Sequence, residues 1–298
     1  MSPTGTGPAP YGGLAADMRS LHHESFTGAL LVFGPPDTTL HFRQGLLVAA
    51  RTPAAPAPDT LLLRSGAVPE QDWAAARAHA LTTGDLGAEL LARRHVSAAL
   101  LELTLERSLL DGVFAMGLTP SNRGGEVRPG ALPPLLRLDE GVEPGPALRE
   151  AARRHDAVGR RWGPPADLAR LRPVASGAPE AVPSTVHRDL LARADGRRTP
   201  RDLAFALGRD VSGVMADLVR LAERGLVETA PRPPGGPLSR RLPERGQDGP
   251  GPRPLTQRRP GADGTHLAPG TDTGLPPEVA ARLNAAHHVP GDLLGDEE

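Results

Sequence analysis

The 298-residue chain contains no cysteine, no lysine and no isoleucine, and only 3% of it is aromatic. Without cysteine there is no disulfide, no thiolate metal site and no cysteine nucleophile. Without lysine there is no Walker-type phosphate loop. All 34 basic side chains are therefore arginines. Lysine and isoleucine both use A/T-rich codons, so their joint absence points to a GC-rich coding bias. The arginine content is then no signature of phosphate recognition by itself. The formal net charge is −1, so no global field draws the chain to nucleic acid or anionic lipid. No apolar run approaches the length of a membrane span, and Met1-Ser2-Pro3-Thr4 lacks the charged-then-apolar pattern of a leader. A cytoplasmic protein with no membrane partner is the expectation.

What is present is unevenly spread. Residues 1–11 are rich in proline, glycine and threonine and read as disordered. From Gly12, Leu14, Met18 and Leu21 stand at helical spacing. Three strand candidates follow, Gly28–Phe33, Thr38–Arg43 and Leu46–Arg51, separated by Gly34-Pro35-Pro36-Asp37 and Gln44-Gly45. That is the pattern of a small antiparallel meander, with His41 on its outward side beside Arg43. Helices are expected over Asp59–Arg64, Pro69–Leu81, Leu86–Arg93 and Ser97–Leu110, and a returning strand over Gly112–Met116. Residues 119–183 read as a helical or irregular linker, its basic helix over Ala147–Trp162 solvated. After residue 230 the chain carries 13 prolines and 11 glycines in 68 residues, which without a repeat is the composition of a disordered tail. One helical spacing survives there, over Pro276–His288.

Residues 184–230 are the most informative stretch. Ser184 is a helix cap, and the helix it starts runs to about Asp195, ahead of Gly196. Thr199-Pro200-Arg201-Asp202 is a second helix start, with Thr199 as cap and Pro200 at the first helical position. Asp210 opens a third helix whose Val211, Val214, Met215, Leu218, Leu221 and Ala222 form one apolar stripe. Leu226-Val227-Glu228 supplies a short strand. Helix, helix, helix and strand is the outline of a winged helix-turn-helix. In a DNA reader of this shape the third helix enters the major groove. Its outward positions here are Ser212, Gly213, Ala216, Asp217, Arg220 and Glu223. The candidate contacts to DNA or to a partner are Arg197, Arg198, Arg201, Arg220 and Arg224. Eight arginines stand against seven acids in the segment, and Pro231, Pro233 and Pro234 follow the strand where a wing would return. DNA binding and protein binding both remain open readings of the module.

Two sets of residues carry a family resemblance. Phe26-Thr27-Gly28-Ala29-Leu30 and Leu40-His41-Phe42-Arg43-Gln44-Gly45-Leu46-Leu47-Val48-Ala49-Ala50 form a hairpin signature. Leu62-Leu63-Arg64-Ser65-Gly66-Ala67-Val68, Asp85–Leu91 and Gly112-Val113-Phe114 continue it. Over about residues 12–118 this resembles the PatA-like N-terminal domain of bacterial regulatory proteins. Asp195-Gly196-Arg197-Arg198-Thr199-Pro200-Arg201-Asp202-Leu203-Ala204 is similar to the turn of winged helices found beside such domains. The resemblance implies signalling or gene control with no catalytic residue. It departs from the family in having no receiver domain with an acidic phosphoacceptor pocket.

Catalytic chemistry is not indicated. The adjacent pairs His22-His23 and His287-His288 point to opposite sides and do not chelate. HExxH and GxSxG motifs are absent. Trp73 and Trp162 read as packing groups. The expected organisation is α+β: a disordered 1–11, a meander-plus-helices domain over 12–118, a linker over 119–183, a winged-helix-like domain over 184–230 and a disordered tail over 231–298. The expected function is regulatory and non-enzymatic, with no cofactor and no metal. It is either a transcriptional regulator that binds DNA, or a signalling adaptor that binds a regulatory protein or itself.

Overall fold

The computed structural model describes residues 11–34, 37–119, 125–176 and 184–230, the side chains of Thr229 and Ala230 excepted. Residues 1–10, the tail 231–298 and its expected helix over 276–288 lie outside the described residues. Tyr11, expected to belong to the disordered N-terminus, is buried and donates its hydroxyl to the Val113 carbonyl at 3.2 Å.

The described residues form a mixed α+β structure of ten helices, a four-stranded antiparallel sheet and a two-stranded ribbon. Helix α1 (Leu14–His23) leads into β1 (Gly28–Val32), β2 (Thr38–Arg43) and β3 (Leu46–Arg51). Alternation in β2, continuous apolar runs in β1 and β3, and tight turns between them form the expected meander. A fourth strand, β4 (Gly125–Pro129), adds antiparallel to β1, giving the order β3-β2-β1-β4. Gly28 makes that close approach possible, because a Cβ there would lie 2.3 Å from the Arg128 carbonyl oxygen. Between His41 and Phe42 the β2–β3 register shifts, and Val48 is the extra residue. The bulge leaves the Val48 carbonyl accepting from Leu138 at 2.9 Å outside the sheet. His41 is buried rather than outward, since the small neighbours Ala29 and Ala49 flank it on β1 and β3.

Helices α2 (Pro58–Arg64), α3 (Glu70–Thr83) and α4 (Leu86–Ala92) lie within a residue or two of their expected ranges. The next element corrects the sequence reading. Residues 112–116 are not a returning strand but the last turns of α5 (Ala98–Met116). The helix starts where Ser97 accepts from the Leu100 amide, and every residue from Ser108 to Met116 is buried. A helix buried on all sides shows no periodicity, so Val113 and Phe114 mimic a strand. Gly112 costs α5 about 1 kcal/mol of helix propensity, but it lets the helix cross β3 closely. A Cβ there would sit 2.9 Å from that of Ala50.

The segment expected as a linker is built into the structure. It supplies β4, α6 (Pro144–Arg161), α7 (Pro165–Leu168) and β5 (Arg172–Ala175). Helix α6 is amphipathic: Ala147, Leu148, Ala151, His155 and Val158 are buried against α5, α1 and α10 (Val211–Glu223). Arg149, Arg153 and Arg160 are exposed, and the arginine-rich composition had made the whole helix look solvated. The His155 ring stacks on Phe114 at 4.4 Å, and its Nε2 lies 3.0 Å from the Phe114 carbonyl. Burial, the largest influence, lowers the His155 pKa; a carbonyl can only accept, so Nε2 is the donor.

Helices α8 (Thr185–Arg193) and α9 (Pro200–Leu207) and strand β6 (Val227–Ala230) complete the order. The partner of β6 comes from upstream, because β5 pairs with it antiparallel and Val174 also bridges to Asp195. One continuous apolar cluster runs from Leu30 and Leu40 of the sheet through Val113 and Phe114 of α5 to Val214, Met215 and Leu218 of α10. No helix among the described residues is long and apolar enough to cross a membrane.

Candidate functional site

The candidate site is the three-helix segment α8–α9–α10 and what α10 touches. Its start signals work as their residue types require. Thr199 accepts from the Asp202 amide and Asp202 returns the bond to the Thr199 amide, closing a capping box at α9. Gly208, at φ +62°, ends α9, and a Cβ there would lie 2.6 Å from that of Arg64. Asp210 caps α10 by accepting from Gly213 at 2.8 Å. At α8, Ser184 occupies the cap position but makes no side-chain capping bond, and the helix ends at Arg193, two residues earlier than expected.

The outward face expected of α10 is largely covered. Ser212 and Asp217 are buried, and Val219 beside them is 1% exposed. Helix α6 lies along this side. Its Arg154 donates to the Ser212 hydroxyl at 3.3 Å, and Arg161 grips Glu223, with Nε 2.8 Å from Oε1. Between α6 and α10 remains a cleft of about 350 Å³. It is lined by Arg107, Arg153, Arg154, Arg161 and Arg220 but also by Glu150 and Asp210. Every one of these arginines is already paired: Arg107 with Asp210 at 2.5 Å, Arg153 and Arg154 with Glu150 at 2.8 Å, Arg161 with Glu223, and Arg220 with Asp217 at 2.7 Å. The Arg153 hydrogen bond, with help from Arg154, holds the Glu150 carboxyl down at about 2. The guanidiniums of the cleft are thus engaged with carboxylates, Arg153 and Arg154 sharing Glu150 and Arg220 sharing Asp217 with Arg209, and are not a free cationic surface.

The five candidate arginines do not form one face. Arg198 binds Asp195 at 2.8 Å, and Arg197 beside it accepts from Arg172 through its carbonyl. Arg201 turns toward the N-terminal half. It donates to the Pro53 carbonyl at 2.7 Å and lies 5.4 Å from the Phe205 ring centroid. Arg220 faces α6 across the cleft, and Arg224 is exposed at the C-terminal cap of α10. Only Arg197 and Arg224 have no side-chain polar partner among the described residues.

Two carboxylates central to the arrangement were not singled out by sequence reasoning. Asp111, deep in α5, accepts from the Val211 amide at 2.7 Å and the Ser212 amide at 2.9 Å. It therefore satisfies the first orphan donors of α10 from another element. Burial pushes its carboxyl up to about 6, against the pull of those two amides. The available signal was an acid inside the apolar run Leu109-Leu110-Asp111-Gly112-Val113. Asp217, expected on the solvent side, collects Arg209 at 2.5 Å, Arg220 at 2.7 Å and His187 at 3.2 Å. Burial opposes its ionisation, yet Arg209 and His187 outweigh that and bring its pKa below the ordinary value.

No family model, curated protein or solved structure matches the chain. The reading of the site therefore rests on its geometry. Among the described residues no three His, Asp or Glu side chains converge to hold a metal ion. The arrangement joins elements by ion pairs and helix capping.

Proposed function

We propose that the chain is a non-enzymatic regulatory adaptor whose residues 184–230 form a winged-helix-like module used for protein contact. The observation that carries this is the cover on α10. An α-helix with its side chains is about 10–12 Å across, and the major groove is about 12 Å wide. A helix that reads bases must stand clear of its own chain on one side. Here α6 lies along that side, tied by Arg154 and Arg161. The split placement of Arg201 and Arg220 supports the same reading, since phosphate contacts need one continuous basic face. The PatA-like character of residues 12–118 belongs to this proposal, supported by the hairpin motif.

The test is fluorescence anisotropy of the full chain with a random-sequence 30-base-pair duplex at low and moderate salt. The adaptor reading expects no salt-sensitive binding. Binding that falls tenfold or more in the Arg198→Ala, Arg220→Ala double variant, about 1.4 kcal/mol, overturns it in favour of a DNA regulator. A second reading, DNA docking after α6 withdraws, is favoured by the unpaired Arg197 and Arg224. It expects binding to appear only when the tie is cut by Arg161→Ala.

A further inference from the structure

A separate pocket of about 360 Å³ opens beside the outer edge of β3, between α3, α5 and the 133–137 segment. That volume lies in the range of small-molecule sites, which are mostly apolar with a few placed polar groups. Its inner wall is apolar, formed by Trp73, Leu86, Leu105, Leu109 and Leu136. Past Val48 the outer edge of β3 makes no backbone bond to another segment among the described residues. At the rim stand Arg51 and Arg77, both exposed. They differ from the arginines of the α6–α10 cleft in one decisive respect: neither has a hydrogen-bond or ion-pair partner among the described residues. The third arginine, Arg137, is committed to the Gly84 and Pro134 carbonyls and to Asp85. Ser108 is likewise committed, donating to the Pro56 carbonyl at 3.0 Å. The one acid at the rim, Asp59, accepts from its neighbour Thr60.

We infer that this pocket binds a small organic anion, its apolar or planar body against Trp73 and the leucines and its anionic group on Arg51 and Arg77. The two unpaired guanidiniums stand beside the apolar wall, and a guanidinium binds carboxylate or phosphate oxygens through paired N–H groups. The apolar wall excludes a bare inorganic ion as the fitting occupant, because it would leave that wall wet. Arg77 lies one helical turn beyond Trp73 on α3, so both project to the same side. An occupant therefore meets the ring and the charge together. This assignment stands apart from the proposed adaptor function, since its residues lie on β3, α3 and α5 and the DNA test concerns α10.

The test is a ligand-observed NMR titration of the full chain with 2-naphthoate, 2-naphthyl phosphate and the neutral 2-naphthamide. At least one anion is expected to bind saturably and at least tenfold more tightly than the amide. Preference between the two anions separates carboxylate from phosphate. The Arg51→Gln, Arg77→Gln double variant is expected to bring that anion to the level of the amide, with an unchanged circular-dichroism melting curve. Arg149→Gln, an exposed arginine of α6 outside the pocket, is expected to leave binding intact. Absence of saturable binding by both anions, equal binding of anion and amide, or binding indifferent to the double variant overturns the assignment.

Discussion

At the scale of single residues, buried carboxylates decide how the helices meet. Asp111 sits in a run of leucines and holds the Val211 and Ser212 amides. Its folded pKa, about 6, lies above the ordinary aspartate value of 3.8. The folded state therefore holds the proton more tightly than the unfolded state. The stabilisation this gives is full below about pH 4 and is lost as pH rises through about 6. The shift corresponds to roughly 3 kcal/mol at its largest. In Asp111→Asn this component is expected to vanish, so that the difference in stability between variant and parent changes between pH 4 and pH 6.5. Urea unfolding at a series of pH values measures it, and a parallel pair of curves would argue against the ionisation described. Asp111→Ala also strips two buried amides of their acceptor, at about 1–3 kcal/mol for each group left unsatisfied.

The limits of reading residues singly show at the same scale. Asp217 and Ser212 fall on the polar side of α10 by periodicity, yet both are buried. Periodicity reports which positions are polar; it does not say whether a polar position meets water or a guanidinium. Arg209 and Arg220 satisfy Asp217, and neither pairing follows from the stripe pattern that located α10.

At the scale of elements, local signals were dependable where they were chemical. The capping box at α9 was legible because Thr199, Pro200 and Asp202 each have a defined task in the first turn. Thr199→Ala is expected to destabilise the fold by about 1 kcal/mol, measurable by chemical denaturation. A loss near zero would mean that α9 is held by its buried Leu203 and Ala204 alone. Signals failed where an element is buried all round. The C-terminal turns of α5 have neither helical nor strand periodicity, and their β-prone Val113 and Phe114 suggested a strand. The strand that does complete the sheet, β4, is exposed along its whole length and contains Gly125 and Pro129, both poor strand formers. Its place beside β1 follows from pairing with a neighbour and from Gly28. Gly112→Val is expected to cost α5 about 1–3 kcal/mol, because the new side chain meets Ala50 with no room to move. Differential scanning calorimetry of that variant reads the loss directly.

At the scale of the molecule, boundaries drawn from composition at residues 118 and 184 do not coincide with any break in the apolar cluster. The same core includes Met18, Val113 and Leu218, and α6 packs on both α5 and α10. Residues 11–230 are accordingly expected to unfold in one transition, with calorimetric and van't Hoff enthalpies equal. Two separated transitions would restore an independent C-terminal module. A fragment ending at residue 118 is expected to lack cooperative unfolding, since it loses β4 and the helix that covers α1 and α5.

By itself the sequence determined the local chemistry: the meander, most helices, the caps of α9 and α10, the three-helix order of residues 184–230, and the lack of thiol and lysine chemistry. These depend on neighbours a few residues away, where backbone donors, turn residues and apolar spacing act directly. Only the tertiary structure decided that α5 continues to Met116, that β5 pairs with β6, that α6 covers α10, and which arginines are paired. Each of those rests on contacts between segments tens to about a hundred residues apart, such as Asp111 with Val211 and Arg161 with Glu223. Composition made the arginines look alike. Burial and distance separate those that tie helices together from those, such as Arg51, Arg77, Arg197 and Arg224, that have no side-chain partner among the described residues.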